Sequence, residues 1–237
     1  MINFKFKTMK YHFLLTTVPF LLISCANLKK NVANFDTKDS FSSSKENVLN
    51  DTKPIDDTTF VNLKDYSKDF VYEMRYATKN NFLKQIVYDC ASCYLRLKTV
   101  KSLVRANDDF MKKGFKIKIY DCYRPLDVQK KMWKIVSDPN YVANPAKGSI
   151  HNRGGAVDIS LVDNKDKNLD MGTDFDFFGK EAAHDFSGLS DTIVKNRIYL
   201  KTIMIQNNFK IFDSEWWHYN LADSNKDNIS NFKWKCE

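Results

Sequence analysis

Phe115-Lys116-Ile117-Lys118-Ile119-Tyr120 alternates apolar and polar residues without a break, and it directly follows a segment of helical periodicity. From Tyr94 to Lys113, Leu97, Val100, Leu103, Val104, Phe110 and Met111 fall on one helical face, and Gly114 supplies a stop. A helix that turns at a glycine into a half-buried strand must lay its apolar face on the sheet that strand joins. That junction confines the chain to folds that mix the two element types.

The rest of the chain adds pieces of the same kind. Thr59 to Tyr66 alternates as a strand does, and Gly155 to Val162, Phe209–Phe212 and Glu215–Leu221 read as further strands. Asp121-Cys122-Tyr123-Arg124-Pro125 breaks the alternation, with Pro125 as first residue of a helix to about Val136; another helix covers about Asp191 to Asn207. Without a regular βαβ rhythm, these elements predict a single α+β domain with a mainly antiparallel central sheet flanked by helices, over residues 58–237.

The N-terminus reads differently. Lys5, Lys7 and Lys10 precede an apolar run from Phe13 to Ile23, the length of a signal-peptide core and too short to span a bilayer. Leu22-Ile23-Ser24-Cys25 is similar to a bacterial lipobox, which implies cleavage after residue 24 and lipidation of Cys25. The expected product is an exported lipoprotein, anchored to a membrane and facing the periplasm or cell envelope. Residues 25–57 are rich in Asn, Asp, Lys, Ser and Thr, and read as a flexible tether. Removing the three leader lysines lowers the formal charge from +8 to +5, and no Lys/Arg cluster interleaves with aromatics, which argues against nucleic acid as a partner. Nothing calls for an obligate protein partner.

Export makes disulfides plausible for Cys90, Cys93, Cys122 and Cys236. The helix from Tyr94 rises ~30 Å and the strand returns ~26 Å, so Cys122 ends near the helix start. Cys90 or Cys93 is expected to bond Cys122, leaving the other for Cys236 or free.

Candidate chemistry gathers in two stretches. In Ser149-Ile150-His151-Asn152-Arg153-Gly154-Gly155-Ala156-Val157-Asp158, the strand turns Ala156, Asp158 and Ser160 to one face and Val157, Ile159 and Leu161 to the core. The glycine pair lets the chain turn His151 back toward Asp158. Glu215-Trp216-Trp217-His218 adds a carboxylate and an imidazole. Two imidazoles and a carboxylate are a catalytic zinc set, so His151, Asp158 and His218 are the expected ligands of one Zn²⁺ per chain. Glu215 suits the general base and acid, and Arg124, held at a strand-to-helix turn, suits the oxyanion. In an ideal strand Glu215 and His218 point to opposite faces, so a bulge or strand end is required if both serve one site. His184 is expected to be structural, and Trp216 and Trp217 to be core and pocket wall.

These motifs, with Tyr76-Ala77-Thr78 before Asn81-Phe82, Met171-Gly172-Thr173-Asp174-Phe175-Asp176 and a Tyr219 after His218, resemble the D-alanyl-D-alanine dipeptidases of the vancomycin-resistance type, within the zinc D,D-peptidases. The resemblance covers roughly Tyr72 to Leu221. It implies the same ligands, base and arginine, and a dipeptide pocket lined by Tyr76, Ser149 and Asp176, with Asp176 facing the substrate ammonium. A longer peptide would put an uncharged amide against that carboxylate, so a free dipeptide is the favoured substrate. The segment between Arg124 and His151 is shorter than the resemblance would have it, which places any difference in specificity at the pocket rim. Alternative readings are a zinc D,D-carboxypeptidase or endopeptidase on wall stem peptides, and a lipoprotein that binds wall fragments without cutting them.

Overall fold

The computed structural model describes residues 54–236; the expected leader, Cys25 and the tether up to residue 53 lie outside the described residues. Asp57 is already joined to the domain, its carbonyl accepting from the Lys98 amide and its carboxylate pairing with Lys101.

The main sheet has the order β2-β4-β5-β7-β6, with β2 Val71–Tyr72, β4 Phe115–Asp121, β5 Ala156–Asp163, β6 Phe209–Phe212 and β7 Glu215–Leu221. All its pairings are antiparallel except β2 with β4. A second, two-stranded sheet joins β1 (Phe60–Asn62) to β3 (Tyr94–Arg96). The helices are α1 Leu97–Met111, α2 Leu126–Ile135 and α3 Asp191–Gln206; α1 packs on β4, α3 on β6, and α1 and α3 touch each other. Val100, Leu103 and Phe110 of α1 and Leu200 and Met204 of α3 share one core with Ile117, Ile119, Val157, Ile159 and Leu161. The expected alternation of β5 is therefore present, but Ala156, Asp158 and Ser160 are buried as well, because the loops after β5 and around Tyr76 cover the second face. Tyr120 stacks on Phe175 there, and Phe175 meets Trp217 edge-on.

Three boundaries differ from the sequence reading. The strand expected over Thr59 to Tyr66 stops at Asn62, whose side chain caps a short 3-10 turn over Leu63–Asp65. Tyr94–Arg96 is strand and not the first turn of the helix, since it pairs with β1. Pro125 caps α2 from one residue outside it.

Two disulfides brace this end of the molecule, Cys93–Cys122 and Cys90–Cys236. The first is one of the two pairings expected for Cys122. The second ties down an irregular C-terminal strap, in which Phe232 stacks on Phe60 and Trp234 on Tyr94.

Candidate metal centre and active site

Strand register builds the centre. β5 and β7 run antiparallel with Asp158 directly opposite His218, so their side chains rise together from the same face. His151 comes from the 3-10 turn His151–Arg153 that leads into β5. That turn ends on Gly154 at φ +73°, where a Cβ would also run into the Phe60 ring, and a Cβ on Gly155 would overlap Ser224. Both glycines are thus needed to fold the imidazole back over the strand it precedes.

His218 Nδ1 lies 2.9 Å from Asp158 Oδ1 and 3.2 Å from His151 Nε2, and His151 Nε2 lies 3.4 Å from Asp158 Oδ1. Ligands at zinc-type bond lengths and tetrahedral angles stand about 3.3 Å apart. The outer ring nitrogens decide what this triangle can hold. His151 Nδ1 donates to the Cys122 carbonyl at 2.7 Å, and His218 Nε2 donates to Asn220 Oδ1 at 2.9 Å. These outer acceptors favour the tautomer whose inner nitrogen, on a neutral ring, turns a lone pair toward the carboxylate. With their outer nitrogens bonded to carbonyl oxygens, both neutral rings can offer a lone pair beside the carboxylate, and the three residues form a buried group suited to a metal ion.

Glu215 is the fourth wall, its Oε2 4.0 Å from His218 Nδ1. The bulge that a shared site requires is there: between Ile211↔Tyr219 and Phe212↔Glu215, β7 advances four residues while β6 advances one. Burial pushes the Glu215 carboxyl above its usual range, which makes it a better proton acceptor near neutrality. Arg124 lies under the Tyr76 ring at 5.2 Å and is fixed by Asp121, which takes its Nη2 at 2.5 Å and Nε at 3.2 Å, and by Gln129, which takes Nη1 at 3.0 Å. Asp121 also accepts from the Tyr88 hydroxyl at 2.6 Å and from the Cys122 amide.

Tyr76, Arg124, Ser149, His151, Asp158, Asp176, Glu215, Trp217 and His218 all line one cleft of about 260 Å³. Every residue expected at the site from the sequence is therefore brought to one place. Asp176 sits at φ +61°, its Oδ1 accepting from the Tyr76 hydroxyl at 3.1 Å. Its Oδ2 and the Ser149 hydroxyl are buried without a partner among the described residues. Burial first, then the nearby Asp158 carboxylate, push the Asp176 carboxyl well above its usual range, a penalty that a cationic group in the cleft would relieve. His184 stands apart from the cleft, facing the Tyr219 ring, and Trp216 bonds Thr173 while Trp217 walls the cleft.

The sequence reading assigned no role to the supports: Asp121, Gln129, Asn220 and the Cys122 carbonyl. Asn220 had a signal, since it lies two residues beyond His218 on one strand face. Asp121 opens the Asp121-to-Pro125 turn that carries Arg124. A backbone carbonyl leaves no trace in a sequence.

Comparison with known proteins places the chain in a family. A family model described as D-ala-D-ala dipeptidase matches residues 56–235, and the chain belongs to that peptidase family, whose members are hydrolases and typically metal-dependent. The D-alanyl-D-alanine dipeptidase of Escherichia coli K12 is 32% identical over 169 residues, covering 71% of this chain and 88% of that protein. The D-alanyl-D-alanine dipeptidase of Enterococcus faecium is 27% identical over 173 residues, covering 64% and 86%. One from Enterococcus faecalis is 34% identical over 79 residues, covering 33% and 39%.

Proposed function

We propose that this protein is a zinc-dependent dipeptidase that hydrolyses D-alanyl-D-alanine from a lipid-anchored position outside the cytoplasmic membrane. The observation that carries the zinc reading is the inward-facing triangle of His151, Asp158 and His218, whose ring protons are held outward by carbonyl oxygens. Zinc suits two imidazoles and one carboxylate and, when bound, would acidify a water and polarise the scissile carbonyl.

The chain's own groups supply the rest. Asp176 Oδ2 and Ser149 Oγ, both buried and without a partner among the described residues, suit the ammonium and amide of a bound dipeptide. Glu215 takes the proton of the attacking water and returns it to the leaving amine. Arg124, already fixed by Asp121 and Gln129, presents positive charge to the oxyanion without having to move, and such preorganised charge is a main source of rate enhancement. The leader-like run ending at Cys25 supports export and lipidation.

The test is turnover of D-Ala-D-Ala beside a pentapeptide ending in the same pair, with zinc and with a chelator. The proposal expects hydrolysis of the dipeptide, loss with chelator, recovery with zinc, and little action on the pentapeptide. Preference for the pentapeptide would make the protein a carboxypeptidase, and zinc-loaded protein without turnover would remove the reading.

A further inference from the structure

We propose that Asn152 is a positioning residue, locking the turn that carries Arg124 to the turn that carries His151 and Ser149. This rests on the reading of Arg124 as the oxyanion partner in dipeptide hydrolysis. Asn152 lies between two metal-site residues in the sequence but touches neither the cleft nor solvent, being 0% exposed. Its Nδ2 donates to the Arg124 carbonyl at 2.7 Å, and its Oδ1 accepts from the Ser149 amide at 2.8 Å. Beside it, the Arg124 amide donates to the His151 carbonyl at 3.1 Å. Both backbone polar groups of Arg124 are thus held by consecutive residues of the His151 turn.

Only a primary amide of this length satisfies both ends. The Ser149 amide can only donate and the Arg124 carbonyl can only accept, so the side chain must offer an acceptor on one arm and a donor on the other. Asp keeps the shape but sets an anion against a carbonyl, and Ser cannot reach both. The Asn152 carbonyl is itself held, by the Ser230 amide at 2.8 Å, and the Ser230 carbonyl in turn accepts from Leu126 at the start of α2. The C-terminal strap thereby closes a ring of bonds around the base of Arg124. The guanidinium end is set by Asp121 and Gln129; Asn152 sets where its backbone starts relative to the metal triangle. Displacement of a reacting group by about 1 Å costs on the order of 100-fold in rate.

Asn152→Asp and Asn152→Ser are made in the zinc-loaded full chain, each alone and combined with Arg124→Ala, and read by kcat and KM on D-Ala-D-Ala, zinc content and thermal midpoint. The expected result for either single variant is a roughly 10- to 100-fold fall in kcat, with zinc content kept and KM changed less than about threefold. In the Arg124→Ala background the same substitution should change kcat by less than about threefold, because the group being positioned is gone. An equal loss in both backgrounds, a loss that tracks missing zinc, wild-type kcat, or failure of both variants to fold would each overturn the assignment. Absence of turnover in the parent protein would instead overturn the dipeptidase reading itself.

Discussion

The two walls of the cleft are built by different means. One is sheet: Asp158 and His218 face each other across β5 and β7, His151 stands on the 3-10 turn before β5, and Glu215 stands at the bulged start of β7. The other is loop: Asn140 and Tyr141 come from the segment after α2, Asp176 and Phe178 from the segment after β5. The sheet wall holds its groups by ladder register and by outward bonds from each imidazole. The loop wall holds its rim by ring contacts, Tyr141 against Phe178 at 4.8 Å and Phe178 against Phe82 at 5.0 Å. The metal ligands and the base lie on strands or on a turn locked to them, while the rim that admits or refuses a substrate lies on irregular chain.

Substitutions on the sheet wall should therefore act on rate and metal, and substitutions on the loop wall on selectivity. The largest effect is expected of Glu215→Ala, which should lower kcat by about 10²–10⁴ with bound metal unchanged, read by steady-state kinetics beside metal analysis. Full activity in that variant would take Glu215 out of the mechanism. Next comes Asn220→Ala. Losing the acceptor that fixes the His218 tautomer should weaken metal affinity roughly 10- to 100-fold in a chelator competition titration. Unchanged affinity would mean that strand register alone orients the ring.

A smaller shift is expected of Tyr141→Ala and Phe178→Ala. Removing one ring of a pair worth ~0.5–1.5 kcal/mol should move the dipeptide-to-pentapeptide ratio of kcat/KM by less than about tenfold, leaving metal content intact. A metal loss here would show that the walls are not separate. The smallest effect on catalysis is expected outside the cleft, at His184 in the loop region, where the change is in stability. Burial, aided by Lys201 and Arg197, pushes its imidazole from 6.5 down to about 4. Because the unfolded chain takes up this proton first, its contribution to stability is complete above about pH 6.5 and is lost as pH falls toward about 4. Urea midpoints of the parent protein and His184→Leu should differ in slope across that window; parallel curves would contradict the assignment.

The same contrast governs what could be read in the sequence. Two strands of the main sheet are legible because Phe115–Tyr120 and Gly155–Val162 carry period-two patterns long enough to count, and the need for a bulge near Glu215 follows from the same period. β2, with two residues, has no period at all and is defined only by its parallel pairing to β4, while Tyr94–Arg96 was absorbed into a helix because β1, its partner, lies far back in the chain. Among the site residues, Asp158 and His218 could be placed on strand faces. Tyr76, Ser149 and Asp176 lie on irregular chain and entered through family resemblance, since no local pattern announces a loop that folds over a sheet.

The most direct measurement is anomalous diffraction at the zinc edge from crystals of the zinc-loaded domain. The account predicts one peak per chain, bonded to His151 Nε2, Asp158 Oδ1 and His218 Nδ1 at about 2.0–2.2 Å, with Glu215 outside bonding distance. No peak within that triangle, or a zinc ion held elsewhere, would contradict it.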